Sequence, residues 1–520
     1  MKTRQEQVAS LQDGAVWDIV IIGGGATGLG CAVDAASRGY KTLLLEQYDF
    51  AKGTSSRSTK LVHGGVRYLA QGDVALVREA LKERGLLFQN APHLVNKQAF
   101  VIPCFDWFSK AKYLIGLKMY DWLSGRFSFG SSVYLNKKKV IDSLQGISGK
   151  NLAGGIEYYD GQFDDARLAV NLAQTAIENG ASVLNYAKVV SLSKDDKGTL
   201  NGLELLDVET DQKYTVQAKA IVNATGVFVD DILSMDTPGR KPMVRPSQGV
   251  HLVLDRSFMK GNSALMIPET SDGRVLFAVP WHEHLVVGTT DTLLDSHSLE
   301  PRALQKEVEF ILQTAGAYLE KAPTEADVLS VFAGLRPLAA PDKSTSKTKE
   351  ISRSHKLIVN QSGLVTITGG KWTTYRKMAE DTIDQVIKTA ALSMKECVTE
   401  NLKIHGYTTQ KTETYLDIYG SDAQNIRLLS HSNPSLAEEL DSKFPYTGAE
   451  VVWFVRNEMA RNVEDVLARR LRVLFLDAKA AIDMAPKVAA LIASELNMSK
   501  EWETQQIADF TTLAKGYLLK

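Results

Sequence analysis

Three consecutive glycines at the end of an apolar run constrain this chain more than any other feature. Residues 17–22, WDIVII, form a short run that is apolar on both faces, as expected of a strand buried within a parallel sheet. The segment Gly23-Gly24-Gly25-Ala26-Thr27-Gly28 fits G-x-G-x-x-G, and residues 27–39 read as a helix with small residues on one side. A second apolar run, KTLLLE at 41–46, ends on Glu46. Strand, glycine turn, helix and strand in this register form a βαβ unit, and so a doubly wound α/β fold class. Gly23 permits the tight turn, Gly25 lets the backbone approach a pyrophosphate, and Gly28 lets the helix pack closely on the strand. The phosphates then lie at the helix N-terminus. Glu46 falls at the spacing where a carboxylate bonds a ribose hydroxyl. The reading is a dinucleotide site, and the glycines alone do not choose between NAD and FAD.

Bulk properties narrow the partners. At 520 residues the chain exceeds what one hydrophobic core can serve, so two to four domains are expected. With 60 Lys and Arg against 61 Asp and Glu, it has no global field to draw it to nucleic acid. Three cysteines, Cys31, Cys104 and Cys397, are too few for a disulfide framework or thiolate cluster, so a reduced cytoplasm is expected. The first residues are polar, and no run approaches the roughly 18 apolar residues of a membrane span. Neither secretion nor membrane crossing is therefore expected.

Residues 73–90 carry helical periodicity, 96–140 are irregular, and strand-like runs return at 181–222 and 249–290. The later runs read as a largely antiparallel second sheet. LIVNQSGLVTITGG at 357–370 reads as a hairpin ending at a glycine turn, with an amphipathic helix after it, and beyond about 395 helical patterns dominate. The organisation expected is two interleaved domains over 1–395 followed by a helical C-terminal domain over 396–520. The cofactor domain takes mainly 15–95, 155–245 and 330–395; the substrate domain takes mainly 96–154 and 246–329.

Two segments bear on the cofactor. NATG at 223–226, containing Ala224, Thr225 and Gly226, closes an apolar strand and resembles the second dinucleotide-contacting segment of glutathione-reductase-type flavoproteins. GTSSRSTKLVHGG at 53–65 is crowded with hydroxyls and glycines, and its position just after the βαβ unit suits it to lie along a pyrophosphate and ribityl chain. Its candidates are Thr54, Ser55, Ser58, Lys60, His63 and Gly64. His282 and His284 could in principle hold a metal, but no carboxylate or thiolate cluster supports them. They are read as alternating strand positions, with no metal.

At this point the sequence resembles the aerobic FAD-dependent glycerol-3-phosphate dehydrogenases, within the wider group of glycine and D-amino-acid oxidases. The resemblance rests on IIGGGATG, GTSSRSTKLVHGGVRYL, NATGVFVD, PSQGVHLVLD, VVGTTDT, FAGLRPL, SRSHKLIV, GGKWTTYRKMAED and ARNVEDVLARRLRVLFLDA, in order from residue 21 to about 478. A large insertion that some relatives carry in the substrate half is missing, as is the cysteine-rich C-terminal extension of the anaerobic type. The resemblance implies a glutathione-reductase-type Rossmann FAD domain, an antiparallel-sheet substrate domain and a helical C-terminal domain. It also implies oxidation of sn-glycerol 3-phosphate to dihydroxyacetone phosphate, with hydride transfer from C2 to FAD and electrons passed to a quinone.

That chemistry needs a phosphate clamp, a proton acceptor and a positive group near the flavin. The family pattern places cations at Arg67 with Tyr68, at Arg336 and at Arg353, and arginine suits phosphate better than lysine does. Arg336 sits among apolar residues before Pro337, an unusual setting for a solvated cation. Lys371 follows Gly369 and Gly370 and precedes Thr373 at the start of a helix, an arrangement that favours negative charge. The resemblance puts it, with Gly370 and Thr373, at the flavin pyrimidine edge. His251 is the candidate base, its ordinary pKa near 6.5 being suitable; Arg336 or a water could share that work.

An amine oxidase of the same superfamily needs only one carboxylate clamp, and a soluble oxidase would use dioxygen in place of quinone. Trp107 to Lys139 combines aromatics with Lys110, Lys112, Lys118, Arg126 and Lys137-Lys138-Lys139, a composition suited to an anionic bilayer surface. The expectation is a cytoplasmic protein peripheral on the inner face of the cell membrane. A homodimer is among the expected partners.

Overall fold

The computed structural model describes residues 4–12, 14–69, 72–270, 273–339 and 355–519, with the side chains of Arg67 and Ala339 outside the description. Strand Trp17–Ile22 leads into helix Ala26–Ser37, and strand Thr42–Leu45 lies parallel beside the first. The sheet they start runs in the order Lys356–Val359, Val365–Thr368, Lys213–Asn223, Trp17–Ile22, Thr42–Leu45, Ser182–Leu184. All neighbours are parallel except the first pair, the hairpin expected at 357–370. Successive side chains of a strand face opposite sides. Ile19 and Ile21 accordingly pack under helices Ala26–Ser37, Asp165–Glu178 and Tyr375–Thr389, while Val20 and Ile22 face a meander of Ala187–Lys194 and Leu200–Asp207. Lys213–Asn223 belongs to both layers: its first residues pair antiparallel with Leu200–Asp207, its last parallel with Trp17–Ile22.

The second sheet has ten strands, antiparallel except where Ala264–Ile267 meets Val95–Cys104. Its centre is Val244–Asp255, paired with Val328–Ala339 along nearly its whole length. Gly154–Phe163 and Val328–Ala339 belong to this sheet although most of each falls in segments assigned mainly to the cofactor half from sequence. Alternation marks a strand without saying which sheet it joins.

Residues 96–140 are less irregular than expected. They hold most of strand Val95–Cys104 and an 18-residue helix, Trp107–Ser124. The helix buries Leu117 and Tyr120 but exposes Trp107, Phe108, Ile115 and Trp122, so apolar residues on both faces hid its period. His282 and Glu283 also depart from expectation. Both have positive φ and form the turn between strands Leu276–Trp281 and His284–Gly288, so only His284 is a strand residue.

Helices Gly448–Asn457, Ala478–Leu496 and Lys500–Ala514 build the C-terminal core with a π-helical turn, Asp465–Arg470. That core is continuous with Val253, Trp281, Val286 and Phe332 of the second sheet. Among the described residues no helix is long and apolar enough to cross a membrane.

Candidate active site

A cavity of about 820 Å³ is lined by residues of both sheets and by the loops that follow the βαβ unit. The glycine turn forms one wall. Gly23 has φ +113, and a Cβ there would sit 2.7 Å from the Ala224 carbonyl oxygen; one on Gly28 would sit 1.9 Å from the Gly23 carbonyl oxygen. No side chain fits at either position. Gly25 caps helix Ala26–Ser37 with an ordinary φ of −85, so its value lies in leaving the helix end open rather than in backbone freedom. Glu46 ends its strand by accepting from the Gly24 amide at 2.6 Å and the Tyr48 amide at 2.9 Å. Burial raises its pKa against these hydrogen bonds.

Thr54, Ser55, Ser58 and His63 line the cavity, as do Ala224, Thr225 and Gly226. The Ser55 hydroxyl accepts from the Ala26 amide at 2.9 Å, and Trp372 Nε1 donates to the Ser55 carbonyl at 2.8 Å. Thr373 Oγ1 accepts from the His63 amide at 3.2 Å. Three sequence-distant loops are thus knit into one wall. Gly28 and Gly64 lie behind it: Gly28 packs on Gly23, and the Gly64 amide donates to the Tyr120 hydroxyl at 2.8 Å.

Lys60 is a correction. Expected along the cofactor, it is instead fully buried on the far side of the loop, donating to Asp165 Oδ2 at 2.8 Å and the Ser56 carbonyl at 2.7 Å. Its ammonium lies 5.2 Å from the ring centres of Trp281 and Phe332 and 5.4 Å from that of Phe475. Burial pushes its pKa down to about 7, with Asp165 opposing. A φ of +65 turns its side chain away from those of the loop residues that line the cavity.

Strands Val244–Asp255 and Val328–Ala339 supply the other wall. Pairing sets Ser247 opposite Arg336, Gly249 opposite Gly334 and His251 opposite Phe332. The Arg336 guanidinium fills the space beside Gly249, where a Cβ would sit 2.4 Å from Nη2. Its Nη1 is 3.5 Å from Asp291 Oδ1, and Nη2 donates to Thr289 Oγ1 at 3.3 Å. Positive φ at Gly369 and Gly370 turns the chain so that Lys371 reaches the Tyr68 ring, with Nζ 3.8 Å from its centre. His251 stacks on Phe332, and its Nε2 is 2.9 Å from Thr59 Oγ1. Burial, then the Lys60 and Arg336 charges, hold its pKa well below 6.5.

His251, Arg336, Tyr68, Gly370, Lys371 and Thr373 therefore share one cavity with the glycine turn. Arg353 and the side chain of Arg67 lie outside the described residues. Sequence reasoning missed Arg57 and Thr59, which also line the cavity. Arg57 is buried, donating to Glu300 Oε1 at 2.8 Å and the Ala333 carbonyl at 3.3 Å. Their only sequence signal was membership of the hydroxyl-rich loop, where a lone arginine reads as a surface cation.

Residues 18–376 match a family model described as FAD dependent oxidoreductase, and 362–503 one described as the C-terminal domain of alpha-glycerophosphate oxidase. The mitochondrial glycerol-3-phosphate dehydrogenase of Arabidopsis thaliana is 41% identical, the alignment covering 94% of this chain and 84% of that one. The probable mitochondrial glycerol-3-phosphate dehydrogenase of Caenorhabditis elegans is 38% identical, covering 98% and 74%. The solved structure of the glycerol-3-phosphate dehydrogenase from Bacillus halodurans complexed with FAD superposes with a TM-score of 0.81 at 30% identity, covering 99% of this chain and 98% of that one.

Proposed function

The chain belongs to the FAD-dependent glycerol-3-phosphate dehydrogenases, and we propose that its cavity holds the substrate phosphate at Arg336 and passes the electrons to a quinone at a membrane surface. The reaction is oxidation of sn-glycerol 3-phosphate to dihydroxyacetone phosphate. The residues present fit FAD: Gly23 and Gly28 admit no Cβ, Gly25 leaves a helix N-terminus open, and Glu46 ends the next strand. The cavity volume falls within the ~300–1,000 Å³ usual for ligand sites.

When bound, FAD supplies the hydride acceptor. The protein's own share is to bind, orient and move one proton. Gly23, Gly25, Ser55 and Thr225 would hold the dinucleotide along the helix end. Arg336 offers a planar two-pronged donor to the phosphate, whose charge of about −2 it meets better than a point cation does. Lys371 places a cation where negative charge gathers on oxidation of the substrate. His251, kept neutral by burial and two neighbouring cations, is the final acceptor of the hydroxyl proton.

The observation that carries this reading is the convergence of Arg336, Lys371 and His251 on the cavity that contains the glycine turn. Anaerobic titration of the yellow enzyme tests it. Glycerol 3-phosphate should bleach the flavin; glycine and sarcosine should not, and bleaching by either amine would make the enzyme an amine oxidase.

Helix Trp107–Ser124 supports the membrane reading. Trp107 and Trp122 are 77% and 78% exposed, with Phe108 and Ile115 alongside, and Lys112, Lys118 and Arg126 exposed nearby. Aromatics can bury in the headgroup boundary while each basic residue adds about 1 kcal/mol on anionic lipid. Liposome flotation at low and high salt checks this. Protein left at the bottom of a low-salt gradient would make a soluble, dioxygen-using oxidase the better reading.

A further inference from the structure

Neither nitrogen of the His251 imidazole is open to a ligand. The ring is 2% exposed and stacks on Phe332 at 4.9 Å between centres, and across from it a Cβ on Gly288 would sit 2.4 Å from Cδ2. Nδ1 is buried without a hydrogen-bond partner, and Nε2 is taken by Thr59 Oγ1 at 2.9 Å. Thr59 itself lines the cavity. Its position is held from both sides by one carboxylate: Ser58 donates to Asp165 Oδ2 through its amide and hydroxyl at 3.0 and 2.7 Å, and Lys60 Nζ donates to the same oxygen at 2.8 Å. A hydroxyl so fixed between a sealed base and a ligand cavity can both accept and donate.

We propose that Thr59 is a catalytic residue, whose hydroxyl carries the substrate's proton to His251. The substrate O–H bond breaks and its proton goes to Thr59 Oγ1, while the proton already on Oγ1 passes to His251 Nε2. Bound in the cavity, FAD would supply the acceptor for the C2 hydride, so that the alcohol becomes a ketone as the imidazole becomes an imidazolium. This direction requires the neutral ring to carry its hydrogen on Nδ1 and to accept at Nε2. Lys60 and Arg336 face the ring and oppose the imidazolium; the bound phosphate dianion offsets them, because an opposite charge favours the ionised form.

The proposal rests on the reading of His251 as the proton acceptor, and the test separates the two. Thr59→Val keeps the shape and removes the hydroxyl, Thr59→Ala is a second hydroxyl-free variant, and Thr59→Ser restores it. Anaerobic flavin reduction by glycerol 3-phosphate should slow about 10²- to 10⁴-fold in Thr59→Val and Thr59→Ala, the usual loss for a positioned proton carrier. Thr59→Ser should recover to within about tenfold. The double variant Thr59→Val with His251→Gln should be no slower than the slower single one, because two members of one relay do not add. Nitrogen NMR of the ring, assigned by its loss in His251→Gln, should show Nδ1–H in the parent and a changed Nε2 shift in Thr59→Val. If Thr59→Val reduces at the parental rate while His251→Gln is slow, the base acts without Thr59 and the proposal is wrong. Additive losses in the double variant overturn it as well. A parental rate in His251→Gln defeats the base assignment itself.

Discussion

Two sets of cations border the same loop, and they differ in what closes them. Lys60 and Arg472 share the carboxylate of Asp165, Lys60 at 2.8 Å and Arg472 at 2.9 Å, and neither side chain is more than 1% exposed. Arg336 and Lys371 line the cavity instead, Arg336 keeping 29% of its side chain exposed. The first set spends its charge inside the protein, tying the loop to helix Asp165–Glu178 and to the C-terminal unit. In the second, Arg336 keeps a face that a ligand's charge can meet. A cation in a motif is therefore assigned by what encloses it.

Removing the ligand that the open set faces breaks the comparison most completely. Gly25→Val should put a branched side chain at the helix end proposed to receive the pyrophosphate, where even a bare Cβ would be 3.1 Å from Ser55 Oγ. The folded variant should purify without FAD, as read from its visible spectrum, and a full complement of flavin would refute the cradle. Next in size comes the closed set. Lys60→Met leaves Asp165 short of one partner in a buried site and should cost about 3–5 kcal/mol of stability. Urea unfolding checks it, with Lys213→Met, at a lysine whose side chain is 63% exposed, as the control expected to shift the midpoint little.

Arg336→Met should produce the converse. Loss of one side of a desolvated charge pair costs about 2–5 kcal/mol, here read as a fall in kcat/KM with flavin content and melting temperature kept. Parental kinetics would remove Arg336 from the clamp. The smallest effect concerns a third kind of pair. His405 sits between Glu178 Oε1 at 2.5 Å and Asp422 Oδ2 at 2.8 Å. Burial lowers its pKa, but these carboxylates outweigh it and lift the pKa to about 9. A group raised in the folded state contributes fully below its unfolded pKa near 6.5, and that contribution fades as pH rises through 9. The pH-dependent part of stability should thus decline between about pH 6.5 and 9, and His405→Gln should flatten that limb in melting curves.

The same contrast explains what was legible. The βαβ unit was, because buried parallel strands and Gly23, Gly25 and Gly28 leave an unbroken local pattern. His251, Arg336 and Lys371 were singled out chiefly through the family resemblance, and the structure brings all three to one cavity. The inward turn of Lys60 was not, because its cause is Asp165, 105 residues away. Arg57 and Thr59 were missed for a related reason: their partners Glu300, Ala333 and His251 lie on elements that nothing in residues 53–65 foretells. Helix Trp107–Ser124 was obscured because it meets protein on one side and on the other mixes exposed tryptophans with Lys112 and Lys118, leaving no purely polar face to set its period.

Strand Lys213–Asn223 also implies an order of assembly. Its first residues pair with Leu200–Asp207, a contact that closes only a short loop, whereas Trp17 pairs with Ala218 across roughly 200 residues of chain. Closure entropy grows with loop length, and long-range pairing is the slower event. The meander can therefore form early as a template, and the parallel pairing that brings Gly23 against Ala224 follows. On the proposed reading a cradle made of both segments exists only after that closure, and the cofactor would then act as a late lock on a fold already laid down around it.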